Sequence, residues 1–461
     1  MSDARRGGET DGTGATGRLV VVSNRVPDPT KTQAGGLAVA LGAALKERGG
    51  LWFGWSGETV EEGSASDTPH TRTKGNVTYA TIDLDEVEHE RYYAGFSNRA
   101  LWPVCHFRLD LIQISAEDTK GYFEVNERFA RALAPLIEPD DIVWIHDYHL
   151  IPLAAMLRDR GVENRMGFFL HIPWPPSQVS SALPAYERLL RGLAAYDVVG
   201  FQTPLGAENF LTCLARDLPL GAVHPPRADA FPIGIDAEAF MELAREGAQD
   251  ELAVRLRQSM RGRDLIIGVD RLDYSKGIGQ RLEAFERYLE THAEQRNQVS
   301  LLQVTPRSRS EVPEYQDMEQ EVAEHVGRIN GAFGDVDWVP IRYVNSPIPH
   351  ASLAGLYRMA KVGLVTPLRD GMNLVAKEFV AAQPADDPGV LILSRFAGAV
   401  HELDCALIVN PYDPDATAAA IARALEMPLE ERQERWERML ARVEANSTSD
   451  WAKRFLAVLE G

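Results

Sequence analysis

The chain has 461 residues, 45% of them hydrophobic, with 48 Lys and Arg against 67 Asp and Glu and a formal charge of −19. That length exceeds what one hydrophobic core supports, which predicts two or more domains, and the charge repels nucleic acid and anionic membranes, so neither is expected as a partner. No window offers the roughly 18–20 uninterrupted apolar residues of a membrane span and the N-terminus has no apolar signal core, so a cytoplasmic location is expected.

Residues 1–17 are rich in Gly and Thr, lack periodicity and are expected to form a disordered tail. Order begins with the β-branched run 18–23, of the kind that fills a parallel strand covered on both faces. Arg25 follows at the carboxyl edge, where such sheets bind ligands, although a lone Arg is also a common solvated surface charge. Gly35 and Gly36 precede an Ala/Leu helix reaching Leu45. A Gly pair lets a ligand approach the backbone, but turns use it constantly. Trp52, Trp55, Tyr93 and Trp102 are more rings than a loop-rich region needs, and such rings either stack on sugars or fill a core.

The runs 141–146, 167–172 and 197–202 read as further strands. The first closes on His146-Asp147-Tyr148-His149 and the second on His171. A metal is a conceivable use of His146, Asp147 and His149. Strand-end Asp and His are equally suited to hydrogen-bonding sugar hydroxyls, and that reading is favoured over a metal. Cys105, Cys213 and Cys405 lie far apart with no CxxC or Cys/His spacing, so neither a disulfide framework nor a structural zinc is expected.

After residues 231–236 and an Ala/Glu/Arg-rich helical stretch, a second group of strands begins: 265–269, 299–304, 362–367, 389–393 and 406–409. Amphipathic stretches 279–292, 315–329, 352–360 and 417–425 alternate with them. Strands alternating with helices predict an α/β fold of two Rossmann-like, doubly wound domains facing across a cleft. The expected division is 18–235 for the first domain and 236–445 for the second, with a last helix over 446–461 crossing back onto the first.

Arg271 and Lys276 follow the strand 265–269 and stand beside a helix beginning near Gly277. Two cations beside a helix tip form a diphosphate cradle, strengthened by the helix dipole. The plainer alternative is a salt bridge from Arg271 to Asp270 or Asp273. Opposite lies the stretch 362–378, where a strand runs into a turn holding Asp370 and then a helix starting near Asn373. Free N–H groups there favour an anion, and Glu378, about two helical turns along, reaches another part of the same ligand. A nucleotide-sugar fits. Arg307 and Arg309 also follow a strand, although an exposed basic turn explains such a pair on its own.

Taken in order, Val22-Ser-Asn-Arg25, Ala34-Gly-Gly36, Trp52-Phe-Gly-Trp-Ser-Gly57, Tyr92-Tyr93, Leu101-Trp-Pro103, Trp144-Ile-His-Asp-Tyr-His149, Phe169-Leu-His-Ile-Pro173, Gly200-Phe-Gln202, Arg271-Leu-Asp-Tyr-Ser-Lys-Gly277 and Pro367-Leu-Arg-Asp-Gly-Met-Asn-Leu-Val-Ala-Lys-Glu378 resemble the trehalose-6-phosphate synthases. These are retaining glycosyltransferases of family 20 with the two-domain GT-B fold. No single motif is decisive, but their joint order over nearly the whole chain is highly specific.

The resemblance implies transfer of glucose from UDP-glucose, or GDP- or ADP-glucose in some members, to glucose 6-phosphate. It assigns the donor diphosphate to Arg271 and Lys276, the ribose to Glu378, and the phosphates and leaving group to the backbone at Asn373, Leu374 and Val375. Asp370 and His171 would contact the transferred glucose, with Gly36 in a mobile loop over the donor. Trp55, Trp102 and Asp147 would meet the acceptor sugar, and Arg25, Tyr93 and Arg309 its phosphate. Neither cofactor nor metal is implied; the expected partners are small-molecule substrates, with a dimer or tetramer of the chain left open. The loop between Arg25 and Gly35 is short, Trp174 and Gln178 replace more usual residues, and Asp270 stands where Glu is common, departures that touch loop closure and the donor edge.

Two rival readings are a related synthase with another acceptor, such as a glucosylglycerol-phosphate synthase or a pseudo-glycosyltransferase, and a non-catalytic sugar-phosphate sensor. The full set Arg25, Tyr93, Trp102, Asp147 and Arg309 argues against the first, and intact Arg271, Lys276, Asp370 and Glu378 against the second. A dinucleotide oxidoreductase is disfavoured because no G-x-G-x-x-G follows the first strand.

Overall fold

The computed structural model describes residues 17–30, 36–219, 221–307 and 313–461. The tail expected over residues 1–17, apart from Gly17, lies outside these residues, as do Arg309 and residues 31–35 of the loop before Gly36.

Fourteen strands among the described residues form two sheets. The first holds β1 (Leu19–Arg25), β2 (Gly50–Val60), β3 (His70–Lys74), β4 (Val77–Asp85), β5 (Ile142–His146), β6 (Met166–Phe169), β7 (Val198–Phe201) and β8 (Arg227–Ala230), in the order β3-β4-β2-β1-β5-β6-β7-β8. Only β3 runs antiparallel, against β4 at the edge. The second holds β9 (Asp264–Val269), β10 (Val299–Val304), β11 (Ile341–Val344), β12 (Val362–Val365), β13 (Val390–Ser394) and β14 (Leu407–Val409), all parallel, in the order β11-β10-β9-β12-β13-β14. In each sheet the strand order reverses beside the first strand, between β1 and β5 and between β9 and β12. Crevices at such reversals, outside the carboxyl ends, are where doubly wound sheets bind ligands.

The apolar runs became strands because both faces are covered: Leu19, Val20, Val21 and Val22 are all 0% exposed. Strands without that signature escaped the sequence reading. β4 alternates buried and half-buried positions, β8 is a half-exposed edge, and β2 carries Trp52 and Trp55 in strand pairing with β1 rather than in a loop.

The helix Thr448–Glu460 packs on the first sheet. Its Phe455 ring stacks 4.8 Å from Trp144 on β5. A Cβ at Gly167 or Gly200 would meet the same ring at 2.7 or 2.8 Å, so β6 and β7 leave room for it by lacking side chains there. The two chain crossings between the lobes run side by side: the Asn446 amide donates to Pro232 O at 3.1 Å and Thr448 Oγ1 to Gly234 O at 3.1 Å. No helix among the described residues is long and apolar enough to cross a membrane.

Candidate active site

The second sheet builds the cationic side of the cleft. Beyond β9, Asp273 caps a short turn by accepting from Ser275 N at 2.9 Å, and Gly277, at φ 65, opens the helix Ile278–Thr291. The turn projects Lys276 toward the loop after β12, where its ammonium donates to Asp370 Oδ2 at 2.5 Å. The Asn373 amide donates to the same oxygen at 3.1 Å. Asn373 takes φ 77, which its short polar side chain tolerates, and its Oδ1 accepts from Ala376 N at 3.3 Å to cap the helix Leu374–Ala382. Lys276, Asp370 and the helix tip are therefore one bonded cluster. Arg271 is exposed and makes no hydrogen bond or ion pair with any described residue.

Neither salt bridge offered as the alternative for Arg271 forms with a described partner. Asp270 instead accepts from Arg281 Nη2 at 2.6 Å, and Arg281, 0% exposed, also donates to Thr366 Oγ1 at 3.1 Å and Gln303 Oε1 at 3.2 Å. This buried guanidinium ties the ends of β9, β10 and β12 together under the loops that carry Lys276 and Asp370. Burial pushes the Asp270 carboxyl upward although Arg281 and Lys276 oppose that shift. Arg281 carries no mark in the local pattern, because a buried Arg occupies a helix position that reads as an exposed one.

Glu378, one turn beyond Val375 in the same helix, has no hydrogen-bond partner among the described residues, and burial lifts its carboxyl to about 7. Leu374 and Val375 form the half-buried first turn. The neighbouring Lys377 points away from the cleft, donating to Ile233 O at 2.7 Å and to Glu402 Oε2 at 2.5 Å, and so fastens this helix to the chain crossing between the lobes.

Across the cleft, β6 ends two residues before His171. His171 Nε2 lies 3.2 Å from His146 Nδ1, and its Nδ1 lies 3.4 Å from Gln202 Nε2. Burial drives the His171 pKa down to about 3 and that of His146 well down too, so both rings are neutral hydrogen-bonding groups at neutral pH. Asp147, held at φ 74 by the turn after β5, accepts from His171 N at 3.3 Å. The lobes touch here: a Cβ on Gly371 would lie 2.1 Å from the His171 carbonyl oxygen. Only a residue without a side chain lets the Asp370 turn come this close.

Arg25, Trp55 and Tyr93 form a second cluster at the carboxyl edge of the first sheet. The Arg25 guanidinium sits 5.9 Å from the Trp55 ring, and Trp55 lies 6.1 Å from Tyr93. Gly57, at φ 91, makes room for it, since a Cβ there would meet Arg25 Nε at 2.4 Å. Tyr93 stacks on His149 at 5.7 Å with 10° between the planes. Trp102 is buried 5.6 Å from Tyr148, one residue before His149 in the chain. A cavity of about 740 Å³ opens beside Arg25, lined also by Ser23, Trp52, Ser56 and Tyr79. Gly36 is the first residue of the helix Gly36–Arg48 rather than part of the preceding loop.

The conceivable metal set does not converge: His146 pairs with His171 while His149 stacks on Tyr93. No group of three or more His, Cys, Asp and Glu able to hold a metal occurs among the described residues. Sequence reasoning missed Gln202, Arg281 and Gly57 as site-shaping residues. Gln202 had a signal, since it closes β7 beside two strand ends already marked by His146 and His171.

Two parallel doubly wound sheets, facing each other with a cation-bearing helix tip on one side and an aromatic-lined Arg on the other, define a GT-B glycosyltransferase. The sequence model of glycosyltransferase family 20 matches residues 18–461. A trehalose-6-phosphate synthase of Sinorhizobium fredii is 55% identical over 452 residues, 95% of this chain and 97% of the relative. A crystal structure of an alpha,alpha-trehalose-phosphate synthase (UDP-forming) from Burkholderia xenovorans in complex with glucose-6-phosphate superposes with a TM-score of 0.91 at 47% identity, covering 96% of this chain and all 100% of the other. A structure from E. coli bound with UDP-2-fluoro glucose gives 0.91 at 45% identity, covering 96% and 99%. The chain belongs to glycosyltransferase family 20 and is a retaining glycosyltransferase.

Proposed function

We propose that this chain transfers glucose from a nucleoside-diphosphate glucose, UDP-glucose foremost, to glucose 6-phosphate with retention, giving α,α-trehalose 6-phosphate and nucleoside diphosphate. The observation that carries it is the bonded cluster of Lys276, Asp370 and Asn373 at a helix tip, set against His171 across a lobe contact closed by Gly371. Likeness over nearly full length to synthases crystallised with glucose-6-phosphate and with a fluorinated UDP-glucose supports the choice of substrates.

In this reading residues 236–445 hold the donor and residues 18–235 the acceptor. Arg271 and Lys276 bind the diphosphate, helped by the N–H groups at Asn373, Leu374 and Val375, while Glu378 takes the ribose hydroxyls and Gly36, at the start of its helix, meets the donor. Asp370 and the neutral His171 accept and donate to hydroxyls of the transferred glucose. Arg25 and Tyr93, with Arg309, grip the acceptor phosphate, and Trp55, Trp102 and Asp147 meet its sugar ring.

Family 20 chemistry implies attack from the face the diphosphate leaves. The bond from glucose C1 to the phosphate oxygen breaks, the acceptor oxygen bonds to C1, and the departing phosphate takes the hydroxyl proton. The chain's task is orientation plus stabilisation of charge on the leaving group. Removing one such preorganised donor typically costs about 3 kcal/mol of transition-state stabilisation, or roughly a hundredfold in rate.

Incubation with UDP-glucose and glucose 6-phosphate tests the proposal. UDP release together with a disaccharide phosphate whose two anomeric protons both show the small coupling of α linkages supports it. Product with a different acceptor only, or binding of both compounds without UDP release, favours one of the rival readings.

A further inference from the structure

Three loops meet where the lobes touch, and one contact among them lies outside the roles given above. Phe107 follows the short helix Trp102–Cys105, and the guanidinium carbon of Arg369 lies 3.7 Å from its ring centroid. The next residue, Arg108, reaches the other way and holds its own guanidinium 5.4 Å from the Tyr274 ring. Two consecutive residues of the first lobe thus each make a cation–π contact with the second.

Phe107 adopts φ 63, a left-handed conformation that bulky residues avoid, so the surrounding contacts must hold it there. Arg369 is half-buried, and its guanidinium has no hydrogen-bond acceptor or carboxylate partner among the described residues. What it has is two rings, Phe107 on one side and Phe396 at 5.4 Å. Burial lowers its pKa, in keeping with a cation solvated by rings. Its backbone N–H donates to Ser275 O at 3.3 Å, and the following residue is Asp370, which receives Lys276.

On the other side, the helical segment His89–Leu101 runs without a break into Trp102–Cys105 and carries Tyr93 and Trp102. His106 continues it, with its ring 4.1 Å from Trp102 and its Nδ1 bonded to Trp102 O at 2.8 Å. One stiff segment therefore leads from the aromatic cluster to Phe107.

We propose that Phe107 is a positioning residue whose ring, clamped on Arg369, couples acceptor binding beside Tyr93 and Trp102 to the placement of Asp370 against the donor sugar. The identity of the two ligands rests on the proposed function; the clasp rests on the contacts alone. The competing view is that these rings merely fill space between the lobes, and rescue by a second ring separates the two.

The test uses the full chain. UDP binding is measured by calorimetry with and without glucose 6-phosphate, and initial rates are measured for Phe107→Ala, Phe107→Gly and Phe107→Tyr. UDP should bind the wild type at least threefold tighter when glucose 6-phosphate is present. In Phe107→Ala, affinity for UDP alone should stay within twofold while that gain disappears and kcat falls tenfold or more. Phe107→Gly accepts the backbone without strain but has no ring, and should behave like the Ala variant. Phe107→Tyr should recover to within threefold of wild type. A Phe107→Ala variant with kcat within twofold of wild type, or a Tyr variant as impaired as Ala, overturns the proposal. If the wild type makes no product, the substrate assignment fails, and thermal unfolding then reads the clasp: Phe107→Ala and Arg369→Met should not add in the double variant. Additive losses of Tm would sink it.

Discussion

The Lys276 ammonium and the Asp370 carboxylate meet at 2.5 Å across the point where strand order reverses between β9 and β12, although 94 residues separate them in the chain. Asp370 therefore holds in place the cation that the proposed diphosphate requires, and Asn373 fixes the carboxylate. Asp370→Ala should leave nucleoside diphosphate affinity within a few-fold, because Lys276, Arg271 and the helix tip remain. Turnover should drop about a hundredfold or more as the sugar loses its partner. Titration calorimetry with UDP beside initial rates checks this, and a loss confined to UDP affinity would contradict it.

Gly371 brings the Asp370 turn of the second lobe close against the first. Gly371→Ala puts a Cβ 2.1 Å from the His171 carbonyl oxygen unless the lobes separate. Loss of kcat/KM by tenfold or more is expected, with a far-UV spectrum like that of wild type, because misplacing reacting groups by about 1 Å costs orders of magnitude in rate. Unchanged kinetics would mean that this contact opens during turnover.

Glu378 gives a pH-dependent prediction. Its folded pKa, about 7, lies above the ordinary 4.5 of a glutamate because of burial. The sign follows from linkage: the stability contribution is fully present below the unfolded pKa, where the carboxyl is neutral in both states, and is lost as pH rises through about 7. Glu378→Gln should therefore raise the stability of the ligand-free protein at pH 8, on the order of 1–3 kcal/mol, and hardly change it at pH 4.5. Denaturation at the two values measures it, and an equal effect at both would show that the carboxylate is already solvated.

Arg281 holds the loops from beneath. Arg281→Leu leaves Asp270 buried without its partner, and a stability loss of about 3–5 kcal/mol is expected, read from chemical denaturation. The double change Arg281→Leu with Asp270→Asn should lose less than the single one, since removing both charges removes the uncompensated one.

The strands that line the cleft were legible because a doubly covered strand leaves an uninterrupted apolar run: β1, β5, β9, β10 and β12 were found within about two residues of their ends. The helix tip at Asn373 was equally plain, since Asn at a turn before an apolar run is a capping pattern. β4 and β8 were not legible, because half-covered strands carry mixed residues. The direct Lys276–Asp370 bond, the Arg281 tie and the Gly371 approach are tertiary facts, fixed by how loops from distant strands fold over one another. Local pattern placed Lys276 and Asp370 at the cleft but could not pair them, and it marked neither Arg281 nor Gly371.

The account rests on cations of the second lobe holding the donor diphosphate while Arg25 in the first holds the acceptor phosphate. Steady-state kinetics with UDP-glucose and glucose 6-phosphate, on wild type, Lys276→Ala and Arg25→Ala, tests it most directly. Lys276→Ala should lose donor binding and turnover by about a hundredfold or more, whereas Arg25→Ala should raise the KM for glucose 6-phosphate and leave that for UDP-glucose nearly unchanged. Small and equal effects in both variants, or a donor defect in Arg25→Ala, would contradict it.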